Sequence, residues 1–390
     1  MHPKARRLLF VEGYTSKTGA PGSVSSDAIG YGITAARAIR HGLAGMGYEV
    51  IRSSTYIPRR SPNEAWARSR WILDSYNAIL QSLCDDNLDL VFCFHAFQAF
   101  PAEIRRMMSD IDLKIPLIGY THGSHWDYTD RFRYERYPGL EFADLGNLYA
   151  MDRILLVSRY MQRTLHENIS ALSPRVAATL DAKVRVVGLP IDIRSMDANR
   201  THRSFSRTTI VYNHAPIKSK DPHLFLNAVE MILRQREVNI LFTRKIPPDG
   251  TLRARATALA NRYPGKLLFG NDLPISDYYR SLWMSDIQVS TARHESLGIS
   301  TLEAMYTRNC CILPRLGSYP EICDGDQDIL YDRSSEQLMD RLRLAIDGKE
   351  RRNALARRLQ RFARRYAPDQ VVPAISSAIT ELVPQEPGRR

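Results

Sequence analysis

Long apolar runs are missing from this 390-residue chain. A membrane-spanning helix needs about 18 or more consecutive apolar residues, and no stretch reaches that. The short apolar run at 8–11, behind Lys4, Arg6 and Arg7, is too brief for the core of a secretory signal. Cysteine is scarce and odd in number. Cys84, Cys93, Cys310, Cys311 and Cys323 follow no metal-ligand spacing, which argues against a disulfide framework and fits a reducing compartment. No internal repeat is visible, and no recognisable RNA-binding module stands out. The chain is expected in the cytoplasm, with peripheral contact at the cytoplasmic face of a membrane left open.

What is present is the composition of a globular protein, 44% hydrophobic and 25% charged, so disorder is expected only at the frayed end 384–390. The length suits two domains of about 180 residues each. Basic residues outnumber acidic ones to give a formal net charge of +12, and arginine concentrates at 341–365 on a helix with apolar Leu355, Leu359 and Phe362. That run reads as a solvated face, or as a contact for anionic lipid or nucleic acid.

Both halves alternate short apolar strands with helical segments, the pattern of a parallel sheet covered on both faces. In the first half strands are expected at 8–11, 49–52, 88–94, 115–120, 154–158 and 184–187. A helix at about 61–84 would be capped by Ser61, with Pro62 in its first turn. The polar, aperiodic stretch 194–207 reads as a linker. The second half restarts at 208–212 and continues through strands at 239–243, 266–269, 310–314 and 328–331. The expected organisation is an N-terminal domain 1–193, a linker 194–207, a C-terminal domain 208–366, and a helix and tail 367–390.

Chemistry concentrates in Arg293 to Met305, RHESLGISTLEAM, where Glu295 and Glu303 stand eight positions apart around a glycine turn and a helix start. Ser290 and Thr291 end a strand, Leu297 and Gly298 make the turn, and the helix runs over 299–306. Free amides at Gly298, Ile299 and Ser300 would present a positive helix end to phosphate oxygens. At helical rise, eight residues span roughly 12 Å, a separation that fits a nucleotide sugar better than a bare phosphate.

This E-x7-E pattern, the segment from Phe269 through DYYRSLWMSDIQVS, and the run Pro314 to Ile322 (PRLGSYPEI) together resemble the donor-binding half of the retaining glycosyltransferases of family 4. The resemblance implies the α/β GT-B fold, with two Rossmann-like domains facing a cleft and a C-terminal helix crossing back to the first domain. It also implies a hexose moved from a UDP- or GDP-sugar to an acceptor hydroxyl. No cofactor beyond that donor, and no obligatory metal, is expected. Glu295 would lie against the donor sugar, and Glu303 would accept from the ribose hydroxyls. Ser296, Leu297, Gly298, Ile299 and Ser300 would line the diphosphate. Where the family places an arginine and then a lysine, Lys220 matches the lysine while the arginine position falls on His214 or Ala215. Lys218, or Arg244 with Lys245, would supply the missing charge. Gly19 and Gly22 resemble the glycine loop these enzymes bring to the diphosphate.

In the first half, His122 follows a strand and by resemblance touches the donor sugar or acceptor, with His125 and Asp127 nearby; His95 is a weaker candidate of the same kind. Residues 210–325 are similar to the tRNA-queuosine mannosyltransferase branch. The acceptor stays open among a small metabolite, an envelope glycan or lipid, and a modified tRNA. The alternative is a non-catalytic nucleotide- or nucleic-acid-binding protein on the same fold. Glu303 sits among apolar neighbours, and Arg293 or His294 is the expected partner for its carboxylate.

Overall fold

The computed structural model describes residues 5–12, 31–53, 67–85, 87–96, 100–130, 139–202, 204–248 and 250–383. The chain divides into two compact units. One holds Met1–Tyr128, Arg133–Pro190 and Pro368–Arg390, the other Ile191–Ala367 with Thr129–Phe132.

In the first unit, β1 (Arg6–Val11), β2 (Tyr48–Ser53), β3 (Leu90–Cys93), β4 (Leu117–Thr121), β5 (Arg153–Leu156) and β6 (Val184–Val186) form one parallel sheet in the order β2-β1-β3-β4-β5-β6. Strands β3, β4 and β5 are buried along their whole length, which is why they read as continuous apolar runs rather than alternating ones. Helices α1 (Tyr31–Gly45), α2 (Ala67–Asp85), α3 (Pro101–Asp110), α4 (Leu140–Ala150), α5 (Arg159–Leu172) and α6 (Pro174–Lys183) connect them. Three of these, α3, α4 and α6, were not anticipated. Two carried local start signals: Pro101 opens α3, and Ser173 caps α6 ahead of Pro174. The proposed cap Ser61 and Pro62 lie outside the described residues.

The second unit opens with α7 (Ile193–Ala198), five of whose six residues lie inside the stretch 194–207 expected to be an aperiodic linker. Asp192 caps it, and Met196 is buried, one apolar contact being too little to show as periodicity. Then follow β7 (Thr209–Tyr212), α8 (Pro222–Leu233), β8 (Asn239–Phe242), α9 (Thr251–Arg262), β9 (Leu267–Phe269), α10 (Ile275–Met284), β10 (Ile287–Val289), α11 (Ile299–Tyr306), β11 (Cys310–Pro314), α12 (Tyr319–Ile322) and β12 (Leu330–Tyr331). The sheet order is β12-β11-β10-β7-β8-β9, again parallel. Strand order reverses between β7 and β10, and at such a switch point the loops leaving the two strands diverge to opposite faces and open a crevice.

The arginine-rich region is two helices, α13 (Ser335–Asp347) and α14 (Lys349–Ala363), because Gly348 ends one and begins the other. Its arginines differ in role. Arg352 is buried and donates to the carbonyls of Ala345 and Ile346 at 2.8 and 3.2 Å while pairing with Asp286 at 3.3 Å. Arg351 pairs with Asp328 at 2.7 Å, and Arg357 is exposed. The last helix, α15 (Pro368–Thr380), returns to the first unit, where Ser376 bonds Tyr48 at 3.2 Å. Beyond it Glu381 pairs with Arg153 and Arg185. Among the described residues no helix is long and apolar enough to cross a membrane.

Replacing Arg352 with alanine strands two helix-end carbonyls and part of Asp286, and should lower unfolding stability by about 2–3 kcal/mol. The same change at exposed Arg357 should stay within about 0.5 kcal/mol. Urea unfolding of both variants checks the contrast, and equal effects would contradict it.

Candidate functional site

The expected donor residues of the second unit gather at the C-terminal ends of its strands, around the β7/β10 switch point. The loop leaving β7 carries Asn213, His214 and a single 3-10 turn, Lys218–Lys220. The segment leaving β10 carries Ser290 to Gly298, and Arg244 lies two residues past β8. The two loops are laced together. The hydroxyls of Tyr212 and Thr291 both donate to the carbonyl of Lys220, at 2.9 and 2.8 Å, and the amide of Arg293 donates to Ser219 at 2.8 Å.

Lys220 Nζ donates to Glu295 Oε2 at 2.7 Å and to the carbonyl of His294 at 3.3 Å. Burial by itself would raise the Glu295 carboxyl, but the Lys220 ammonium overrides it and holds the group below its ordinary range. Gly317 sets the floor under Glu295. Its φ is +54°, and a Cβ there would stand 2.3 Å from the Glu295 carbonyl oxygen, which instead accepts from the amide of Ser318 at 3.1 Å. Both features assign a backbone role to the glycine of PRLGSYPEI.

Helix α11 begins at Gly298, whose φ of +88° suits glycine, and no side chain among the described residues caps it. Its first-turn amides therefore leave a positive end beside Glu295. Residues 295–298 form a turn rather than helix, so the roughly 12 Å spacing inferred from helical rise does not apply across the whole motif. Ser296 is half-buried, Leu297 is buried in the core, and the hydroxyl of Ser300 bonds His214 Nδ1 at 2.9 Å.

Glu303 is buried in α11, and its partners are not Arg293 or His294. Tyr278 and Tyr279 of α10 donate to its two oxygens at 2.7 and 3.3 Å. One carboxylate thus accepts from two adjacent tyrosines of α10. Burial pushes Glu303 up to about 7, against the pull of Tyr278, Arg244 and Tyr279. Arg244 is half-buried with its guanidinium 5.6 Å from the centre of the Tyr278 ring, and among the described residues it is in no ion pair. Lys218 is exposed on the turn that points Lys220 inward, so the two lysines are not brought together on Glu295.

His214, beside the position where an arginine was expected, is fully enclosed. Burial, with Lys220 and Arg244 adding to it, pushes its imidazole down to about 3, so it is neutral near pH 7. The contacts assign its tautomer. Gln288 Nε2 donates to Nε2 at 3.1 Å, which leaves the proton on Nδ1, facing Ser300. His214 thus shapes the loop without contributing charge, and Arg244 is the cation available near Glu303.

In the first unit, His122 is buried after β4, its ring 4.5 Å from Phe94 and 5.0 Å from His95. Burial, then the neighbouring His95, holds it well below the ordinary histidine range. The loop beyond it is fastened to neighbouring helices. Asp144 of α4 accepts from the Ser124 hydroxyl and the His125 amide at 3.0 and 2.9 Å, and Asp127 accepts from Tyr160 at 3.0 Å. Gly19 and Gly22 lie outside the described residues. No group of three or more His, Cys, Asp or Glu among the described residues is placed to hold a metal ion.

Residues 199–362 match the family described as glycosyl transferases group 1. Solved structures align over nearly the whole chain. Sucrose-phosphate synthase from Thermosynechococcus elongatus aligns with a TM-score of 0.73 at 11% identity, covering 97% of this chain and 99% of that one. A glycosyltransferase from Rickettsia africae gives 0.67 at 16%, covering 98% and 100%. HepE from Anabaena, in complex with UDP and glucose, gives 0.64 at 14%, covering 96% and 99%. Two parallel six-stranded sheets with helices, matched over full length to such structures, define a GT-B fold. With a glycosyl transferases group 1 domain in its second unit, the protein is a glycosyltransferase.

Sequence reasoning missed Tyr278, Tyr279 and Asp221 as members of this cluster. The adjacent tyrosines carried no spacing signal, and the only local signal at Asp221 is its place just before Pro222, where the structure shows it capping α8. Glu303 sits with a raised pKa, so its contribution to stability is fully present below its ordinary value of 4.5 and is lost as pH rises through about 7. Glu303→Gln keeps an acceptor for a tyrosine but cannot ionise. Between pH 4.5 and 8 the wild type should lose on the order of 3 kcal/mol of unfolding stability relative to that variant. A difference flat with pH in urea titrations would refute the assignment.

Proposed function

We propose that the protein is a retaining family 4 enzyme that moves a hexose from a UDP- or GDP-sugar to an acceptor hydroxyl without an obligatory metal. The observation that carries this is the Lys220 and Glu295 pair, 2.7 Å apart, beside the uncapped start of α11 at the switch point, with Glu303 farther along the same helix. Lys220, Arg244 and the amides of Gly298, Ile299 and Ser300 meet the diphosphate, Glu303 takes the ribose hydroxyls, and Glu295 faces the sugar. Binding of UDP and of UDP-glucose by HepE, a structural relative, supports a nucleotide sugar as donor.

In the transfer the bond from the anomeric carbon to the diphosphate oxygen breaks, and a bond to the acceptor oxygen forms on the same face. The departing phosphate oxygen takes the acceptor proton. Lys220 and the helix end stabilise the charge that grows on the leaving group, where fixed donors cost no reorganisation. Glu295, kept ionised by Lys220, stabilises positive charge developing on the sugar. Acceptor binding is assigned to the first unit, and a small metabolite, an envelope glycan or lipid, or a modified tRNA would serve. Likeness to the tRNA-queuosine mannosyltransferase branch and the net charge of +12 favour a polyanionic acceptor. A cytoplasmic location follows from such a donor.

A panel of uridine and guanosine diphosphates and their sugars, followed by thermal unfolding, should show one family raising Tm by about 5 °C or more at saturating ligand. Lys220→Ala should weaken that nucleotide about 10- to 100-fold, the worth of a hydrogen bond to a charged group, and slow donor hydrolysis. Stabilisation by no uridine or guanosine form would reject the assignment.

A further inference from the structure

Beside the Lys220 and Glu295 pair runs a second crosslink between the same two loops. Asp221 Oδ2 accepts from Arg293 and from Arg333, each at 2.9 Å, and its Oδ1 accepts from the amide of Leu224 at 3.4 Å as the cap of α8. Arg293 lies two residues before Glu295, and Asp221 directly follows Lys220, so the two ion pairs form adjacent rungs of one ladder. The hydroxyl of Thr291 donates to the carbonyls of both Lys220 and Asp221, at 2.8 and 2.9 Å, closing the space between them.

A cap alone does not require this arrangement. One side-chain oxygen suffices for a cap, and serine or asparagine provides it at no cost in charge. Asp221 also holds φ at +44°, a left-handed conformation uncommon outside glycine, asparagine and aspartate. Two arginines on the remaining oxygen fix that strained residue in place. The lysine side chain that precedes it has four rotatable carbons and three donors, and nothing in its chemistry fixes where its ammonium sits. The carbonyl of Lys220 is held by two hydroxyls and the next residue by two guanidinium groups, so the backbone from which the ammonium springs cannot shift.

We infer that Asp221, clasped by Arg293 and Arg333, is a positioning residue that aims the Lys220 ammonium at the donor diphosphate. This rests on the assignment of Lys220 to that diphosphate. Asp221 touches no reacting atom in this scheme and acts through Lys220 alone.

The test is a double-mutant cycle between Asp221→Asn and Lys220→Ala, read as affinity for UDP and GDP by calorimetry. Asp221→Asn should weaken the bound nucleotide about 10-fold in the wild type and less than about 2-fold in the Lys220→Ala background. Equal losses in both backgrounds, or no loss in the wild type, would overturn the inference. If Lys220→Ala itself leaves affinity unchanged, the donor assignment fails instead, so the two failures are distinguishable. Should Asp221→Asn fail to fold, the pair Arg293→Gln and Arg333→Gln keeps the helix cap intact and should give the same non-additive loss; additive loss there would equally overturn it.

Discussion

The second unit is organised around one ion pair placed where parallel strand order reverses. Lys220 follows β7 and Glu295 follows β10, neighbours in the sheet whose exit loops are laced together. A carboxylate and an ammonium at 2.7 Å in a half-enclosed site need their surroundings fixed, and most of the local sequence does that. Thr291 and Tyr212 hold the Lys220 carbonyl, Gly317 gives the Glu295 carbonyl room to meet Ser318, and Asp221 ties the loops again one residue further on.

Charge in this cluster is divided unevenly, and burial decides how. Glu295 stays ionised because a cation touches it, whereas burial, only partly offset by the tyrosine hydroxyls, pushes Glu303 up to about 7. His214 is neutral because it is buried, with Lys220 and Arg244 adding to the effect. Three neighbouring titratable groups are thus shifted in three different ways, and perturbed groups of this kind cluster at functional sites. Of the cations beside these groups, Lys220 is held by Glu295, and Arg244 is in no ion pair among the described residues.

Much of this was legible beforehand. Strands β7, β8 and β11 were visible as short, mainly apolar runs, the pattern of strands buried on both faces. Helix α11 was bounded correctly by Gly298 and the apolar run after it, whereas the pairing of Lys220 with Glu295 was not anticipated, the family pattern having implied only that each would meet the donor. What escaped notice had weak local signals. Helix α7 buries a single methionine, α13 and α14 read as one arginine-rich helix because Gly348 was passed over, and the buried Arg352 resembles its solvated neighbours in sequence.

The partners of the carboxylates show where sequence runs out. Local pattern determined that the chain would form two sheets of alternating strands and helices, and that a helix would start after a glycine between two glutamates, because periodicity and turn chemistry act over a few residues. Only tertiary structure decided that Glu303 meets Tyr278 and Tyr279, that Asp221 meets Arg293 and Arg333, and that His214 is enclosed and uncharged. Those contacts join residues 24 to 112 positions apart, and sheet order, which brings their elements together, is set by packing over the whole unit.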